Sequence, residues 1–155
     1  MAVNSIGSCV NPATGRLWAH DHAIGDEMGT PQIRPLPELS RTKLDVMAEA
    51  ATPGTNTTIA IVATDAVLTR VEAKRIAIMA GDGLAIAIRP LHTPFDGDTV
   101  FAAATGARAL SENRALDIAH LGTLAALVLA RAVGRAIWEA TPAGRAPSYR
   151  AILGA

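Results

Sequence analysis

Thr57-Thr58-Ile59-Ala60-Ile61-Val62-Ala63-Thr64 (TTIAIVAT) is β-branched and apolar throughout, the composition of a strand covered on both faces. The residues after it set the fold class. Thr69 stands three positions before Glu72, the spacing of a capping box, and Val71 to about Ile88 reads as a helix that Pro90 ends, with Gly81 and Gly83 weakening its second half. Thr99 to Thr105 (TVFAAAT) returns to strand composition. A long helix is predicted from about Asn113 to Ala140; its middle, Leu121 to Ala130, is apolar all round apart from Gly122 and Thr123, which predicts packing on several sides. Strand, helix, strand, helix in a chain with 32 alanines predicts a layered α/β fold with closely approaching elements.

Upstream, Met1 to Val10 reads as an extended segment interrupted by Asn4, Ser5 and Gly7, and Asn11, Pro12 and Gly15 supply a turn. Asp21 to Arg41 has Pro31, Pro35 and Pro37 and little periodicity, so a surface loop is expected there, with a short helix over Arg41 to Ala51 before Pro53 and Gly54. The 155 residues are 50% hydrophobic, enough for one core, since a chain of this size buries roughly 68–70% of its unfolded surface.

Fourteen basic side chains balance fourteen acidic ones, so no global field draws nucleic acid or an anionic membrane, and at 3% aromatic residues there are few stacking platforms for bases. The single cysteine, Cys9, excludes an internal disulfide and fits a reducing compartment. Between Ser8 and Val10 it reads more plainly as a small buried hydrophobe than as a nucleophile. The N-terminus lacks a basic segment followed by an apolar one. The run Leu121 to Ala130 falls well short of the roughly 20 residues a bilayer requires. The expectation is a cytoplasmic protein with neither membrane nor nucleic acid as partner.

Two places can carry chemistry. At Gly54-Thr55-Asn56-Thr57-Thr58 a turn meets the start of a strand, and a threonine there is by itself only a good strand former. At His92-Thr93-Pro94-Phe95-Asp96-Gly97-Asp98-Thr99 two carboxylates flank a glycine, a pair that can bind a metal, orient an amine or tune a nucleophile, although a solvated turn is the plainer reading of a bare Asp-Gly-Asp. A metal set of His92, Asp96 and Asp98 is the alternative enzyme reading. His20 and His22 have ligand spacing without a third ligand nearby, and Arg131 and Arg135 read as a solvated helix end or a subunit contact.

Together these segments resemble one family. Asn56-Thr57-Thr58-Ile59, Ala63-Thr64-Asp65-Ala66, Ala73-Lys74-Arg75 and the string Arg89-Pro90-Leu91-His92-Thr93-Pro94-Phe95-Asp96-Gly97-Asp98-Thr99-Val100-Phe101 are similar to the self-cleaving aminopeptidases: the DmpA-like L-aminopeptidase/D-Ala-esterase/amidases, the β-aminopeptidases and the nylon-oligomer endohydrolases. Val3-Asn4-Ser5-Ile6-Gly7-Ser8 and Asn11-Pro12-Ala13-Thr14-Gly15-Arg16 resemble the strand and turn before the cleavage junction in that family. The self-cleaving ornithine acetyltransferases are a more distant likeness.

The resemblance implies a precursor that cuts itself before a Ser or Thr and a four-layer α/β/β/α sandwich like that of the N-terminal-nucleophile hydrolases. The cut is expected between Asn56 and Thr57, leaving residues 1–56 as the tail of a large subunit with its linker and residues 57–155 as the small subunit. Once cut, Thr57 carries a hydroxyl and a free α-amine that serves as its general base. By the same resemblance Asp96 and Asp98 orient that amine and hydroxyl, and Asn4 donates to the oxyanion.

The implied reaction is hydrolysis of amide or ester bonds in small peptides or oligoamides by a homo-oligomer without cofactor or metal. Met1 falls inside what reads as a strand, so most of the large subunit is expected to lie outside this sequence, making that segment a partner on which activity depends. A non-catalytic remnant or assembly subunit is the alternative. The identity of the substrate stays open.

Overall fold

A computed structural model describes residues 1–31, 33–40, 43 and 56–154. Among these, three strands form one mixed sheet in the order β1 (Ala2–Asn4), β2 (Thr57–Ala66), β3 (Thr99–Arg108). Strand β1 runs antiparallel to β2 and sets Asn4 opposite Thr57. Strand β3 runs parallel to β2, with Ile59 opposite Thr99 and Thr64 opposite Ala104. Helix α1 (Arg70–Ala87) makes the parallel crossover, and α2 (Arg114–Glu139) and the short α3 (Tyr149–Leu153) complete the described helices. The molecule is thus a mixed α/β fold. The helix expected over Arg41 to Ala51 lies outside the described residues apart from Lys43, as do Pro53, Gly54 and Thr55.

Local chemistry explains the helix boundaries. The Thr69 hydroxyl accepts from the Glu72 amide, and the Glu72 carboxylate accepts from the Thr69 amide at 2.7 Å, so the capping box closes as its spacing predicts. The same carboxylate takes two bonds from the Arg114 guanidinium, at 3.1 and 2.8 Å, and ties the start of α2 to the start of α1. Where Gly83 was expected only to weaken α1, it lets the two helices meet: a Cβ there would fall on the carbonyl oxygen of Ala126, while Gly81 faces open space.

The core joins Ala80, Leu84 and Ile88 of the first helical segment to Leu129, Ala130 and Val133 of α2 and to Ala60 of β2. Met28 and Leu36 are each only 1% exposed and belong to the same core, so the described part of the stretch from Asp21 to Arg41 is no simple surface loop. It is anchored further by the Arg131 guanidinium, which bonds both Glu27 carboxylate oxygens at 2.6 and 2.8 Å. Arg131 therefore holds a loop of its own chain instead of forming a solvated helix end; Arg135 is exposed.

Cover is one-sided elsewhere. Strand β2 buries Thr58 and Ala60 but leaves Ile59 and Ile61 49% and 63% exposed, so it is not covered on both faces. Val100 of β3 packs against the core and Phe101 points outward. Helix α2 buries Ile118, Gly122, Leu129 and Val133 while exposing Leu116, Leu124 and Val128, which departs from packing on several sides. The helix is continuous over 26 residues, as its sequence predicts, and by length and composition alone it is long and apolar enough to cross a membrane.

Candidate functional site

The pairing of β1 with β2 sets the site. Register places Asn4 against Thr57 at the N-terminal end of β2, and a parallel bridge between Asn56 and Asp96 brings the loop before β3 to the same place. All five sequence-predicted site residues, Asn4, Asn56, Thr57, Asp96 and Asp98, thus converge on one end of the sheet.

The Asn56 carbonyl is the centre of the arrangement. It accepts the Thr57 hydroxyl at 2.7 Å and the Gly97 amide at 2.9 Å. Two donors on one carbonyl oxygen draw electron density from its carbon, the atom a neighbouring hydroxyl would attack. Gly97 also explains its own residue type, since a Cβ there would stand 2.8 Å from the Thr57 hydroxyl oxygen. Asn56 itself is buried and Thr57 is half-buried.

The two carboxylates brace this junction through the backbone. Asp98 has a fully buried carboxylate that accepts from the Thr58 amide at 2.8 Å with one oxygen and lies 3.2 Å from the His92 Nδ1 with the other. Asp96 accepts from the Ile6 amide at 3.1 Å with Oδ1, and from the Thr93 amide and hydroxyl at 3.0 and 2.7 Å with Oδ2. One carboxylate therefore fixes the residue after Thr57 and the other fixes the segment after β1. In the continuous chain, among the described residues, their hydrogen bonds go to these groups and not to the Thr57 hydroxyl. Gly97 itself is exposed, but both carboxylates of the Asp-Gly-Asp loop are committed to protein donors, which sets it apart from a solvated turn.

The alternative of a metal at His92, Asp96 and Asp98 does not fit these positions. The carboxylates turn to different backbone donors, and the described residues contain no group of three His, Cys, Asp or Glu side chains that could hold a metal ion, His20 and His22 included. Cys9 is buried, and that burial pushes its thiol up to about 12, so it is a core side chain and no ready nucleophile.

One participant was not anticipated. The Lys43 ammonium donates to Asn4 Oδ1 at 3.1 Å and to Asn56 Oδ1 at 3.2 Å, and it stands with Asn4, Cys9 and Ile137 beside a shallow cavity of about 240 Å³. Nothing in the local sequence marks Lys43, because its partners lie 39 and 13 positions away. The Gly97 amide was also missed, though the glycine between two acids was a signal for it. A separate apolar cavity of about 260 Å³, lined among others by Ile61, Thr64, Leu68, Ala103 and Leu124, lies farther along β2 and contains none of the five site residues.

Comparison with known proteins agrees with this architecture. The sequence profile described as Peptidase family S58 matches residues 8–148. Proteins named as uncharacterized aminopeptidases in Mycobacterium bovis and Mycobacterium tuberculosis are each 42% identical to the chain over 96% of its length and 45% of theirs. A protein of the same description in Mycobacterium leprae is 38% identical over 96% of the chain and 42% of its own length. The chain thus spans less than half the length of these curated relatives.

Proposed function

Because the chain belongs to peptidase family S58, we propose that it carries the processing junction and nucleophile of a self-cleaving aminopeptidase or amidohydrolase, with Thr57 as the nucleophile. The observation that carries this reading is the Asn56 carbonyl, bonded at once by the Thr57 hydroxyl and the Gly97 amide.

In the processing step the Thr57 hydroxyl oxygen bonds to the Asn56 carbonyl carbon, and the negative charge that develops on the carbonyl oxygen is held by the Gly97 amide. The Asn56–Thr57 C–N bond then breaks, and the hydroxyl proton passes to the departing Thr57 nitrogen. The resulting ester is cleaved by water, leaving the Asn56 carboxylate and a free Thr57 α-amine. Residues 1–56 and 57–155 become the two pieces.

In turnover the freed amine takes the hydroxyl proton while Thr57 attacks an amide or ester carbonyl of a small peptide or oligoamide. An unperturbed α-amine titrates at about 7.7–8.0, so hydrolysis rises as pH climbs through that range and the amine becomes neutral. After cleavage Asp96 and Asp98, which bond the Ile6 and Thr58 amides beside the junction, orient the new amine and hydroxyl in this reading, and the Asn4 Nδ2 is the side-chain donor for the substrate oxyanion.

The four-layer sandwich belongs to the same reading: helices cover one face of the sheet, and the exposed Ile59, Ile61 and Phe101 offer the other to a second sheet, which packs at about 10 Å. The remaining length of the relatives is the source we assign to that cover.

The test is a time course of intact mass with N-terminal sequencing. A new terminus at Thr57, lost in Thr57→Ala, is the expected result. A terminus elsewhere, or cleavage that survives in Thr57→Ala, would overturn the assignment.

A further inference from the structure

The Lys43 ammonium reaches the side-chain carbonyls of two residues that flank the same peptide bond in space, Asn4 at 3.1 Å and Asn56 at 3.2 Å. Building on the assignment of Asn56–Thr57 as the processing junction, we propose that Lys43 is a positioning residue for that junction, holding the Asn56 side chain so that its carbonyl stays against the Gly97 amide and the Thr57 hydroxyl.

The argument is geometric. Asn56 is buried and has two carbonyls to orient, one in the main chain and one in the side chain. The main-chain carbonyl is held by Gly97 and Thr57, each a neutral donor. The side-chain carbonyl is held by a charged donor, and charge-assisted hydrogen bonds are about twice as strong as neutral ones. Tethering the side-chain amide gives Asn56 a second point of attachment, which opposes the backbone motion that would carry its main-chain carbonyl off Gly97. Through the Asn4 carbonyl the same ammonium locks the junction to β1, whose register already sets Asn4 opposite Thr57.

Charge also matters. A cation beside the residue that acquires an oxyanion, and afterwards a carboxylate, favours both over the neutral amide. Lys43, Asn4 and Asn56 all lie before the cut, so the tie survives cleavage and keeps the new C-terminus near the nucleophile that released it.

Two readouts test this on the 155-residue chain, one of which needs no cleavage. In the Thr57→Ala background, amide hydrogen exchange is compared at Gly97, which donates to the Asn56 carbonyl, and at Thr58, which donates to Asp98. Lys43→Met is expected to speed exchange at Gly97 by roughly tenfold, the scale of one charge-assisted bond, leave Thr58 unchanged, and be largely rescued by Lys43→Arg. With Thr57 intact, Lys43→Met slows the appearance of the Thr57 terminus by a similar factor and Lys43→Arg restores most of it. Gly97 exchange that is the same in Lys43→Met and its parent overturns the inference, as does exchange that rises equally at Thr58, which marks general loosening. Cleavage that persists in Thr57→Ala overturns the nucleophile assignment instead, and the exchange experiment still decides whether Lys43 holds Asn56.

Discussion

A Cβ at position 97 would stand 2.8 Å from the Thr57 hydroxyl oxygen, so Gly97→Ala pushes apart the hydroxyl and the amide that share the Asn56 carbonyl. Processing should slow on the order of tenfold, less than the 10²–10³ of a fully lost oxyanion donor because the amide itself remains; an unchanged rate in a mass time course would remove Gly97 from the mechanism. The carboxylates make different demands. Asp98 is fully buried and accepts from the Thr58 amide, so Asp98→Asn sets an NH₂ among donors and should cost about 1–3 kcal/mol in denaturant unfolding. Asp96→Asn should cost less, since the Thr93 hydroxyl can turn from donating to that side chain to accepting from its new NH₂, and should act mainly on hydrolysis. Two separate motifs, each contiguous, let the sequence point to the Asn56–Thr57 junction and to the Asp96–Asp98 loop as candidates. The work of the two carboxylates as backbone braces was not legible, because Thr58 and Ile6 reach them only through the sheet.

Helix starts were legible for the same reason: the Thr69–Glu72 box and the Asn113 cap each close within a few residues. Thr69→Ala should therefore destabilise the fold by about 1 kcal/mol in thermal or denaturant unfolding. Met28 and Leu36 escaped because a segment pinned by single side chains has no period to read, and the contact of Gly83 with Ala126 escaped because it joins two helices. Gly83→Ala must separate those helices or bend one of them, at about 1–3 kcal/mol. The loop from Asp21 adds a pH dependence. The Arg131 guanidinium, helped by the Ile24 amide, holds Glu27 at about 2 against an ordinary 4.5. A carboxyl depressed in this way stabilises the fold in full above its unfolded value and loses the contribution as pH falls toward its folded one. Glu27→Gln should therefore lower stability by about 1 kcal/mol at neutral pH, with the gap to the parent closing between about 4.5 and about 2. A gap that persists at the acid end would mean that Glu27 acts through packing and not charge.

The one-sided cover of the sheet leads us to expect that the chain by itself associates. Ile59, Ile61 and Phe101 are 49%, 63% and 56% exposed on the face away from the helices, and on α2 Leu124 and Val128 are likewise more than half exposed. Strand β3 is an edge of the described sheet and runs for ten residues, so its outer backbone groups form a template for another strand. Contiguous apolar surface of this kind marks a contact site on a stable protein. The formal net charge is zero, which removes the long-range repulsion that would otherwise separate molecules. Burial of apolar area then decides the outcome, and sedimentation at micromolar concentration should find species heavier than the 16.0 kDa chain. A doubly charged face, Ile61→Lys with Phe101→Lys, should return the protein to monomer without loss of helical circular dichroism, because both side chains point away from the core. If the parent sediments as a compact monomer, the exposed face is stable in water and needs no cover; if the double variant still associates, the contact lies on α2 or along the edge of β3.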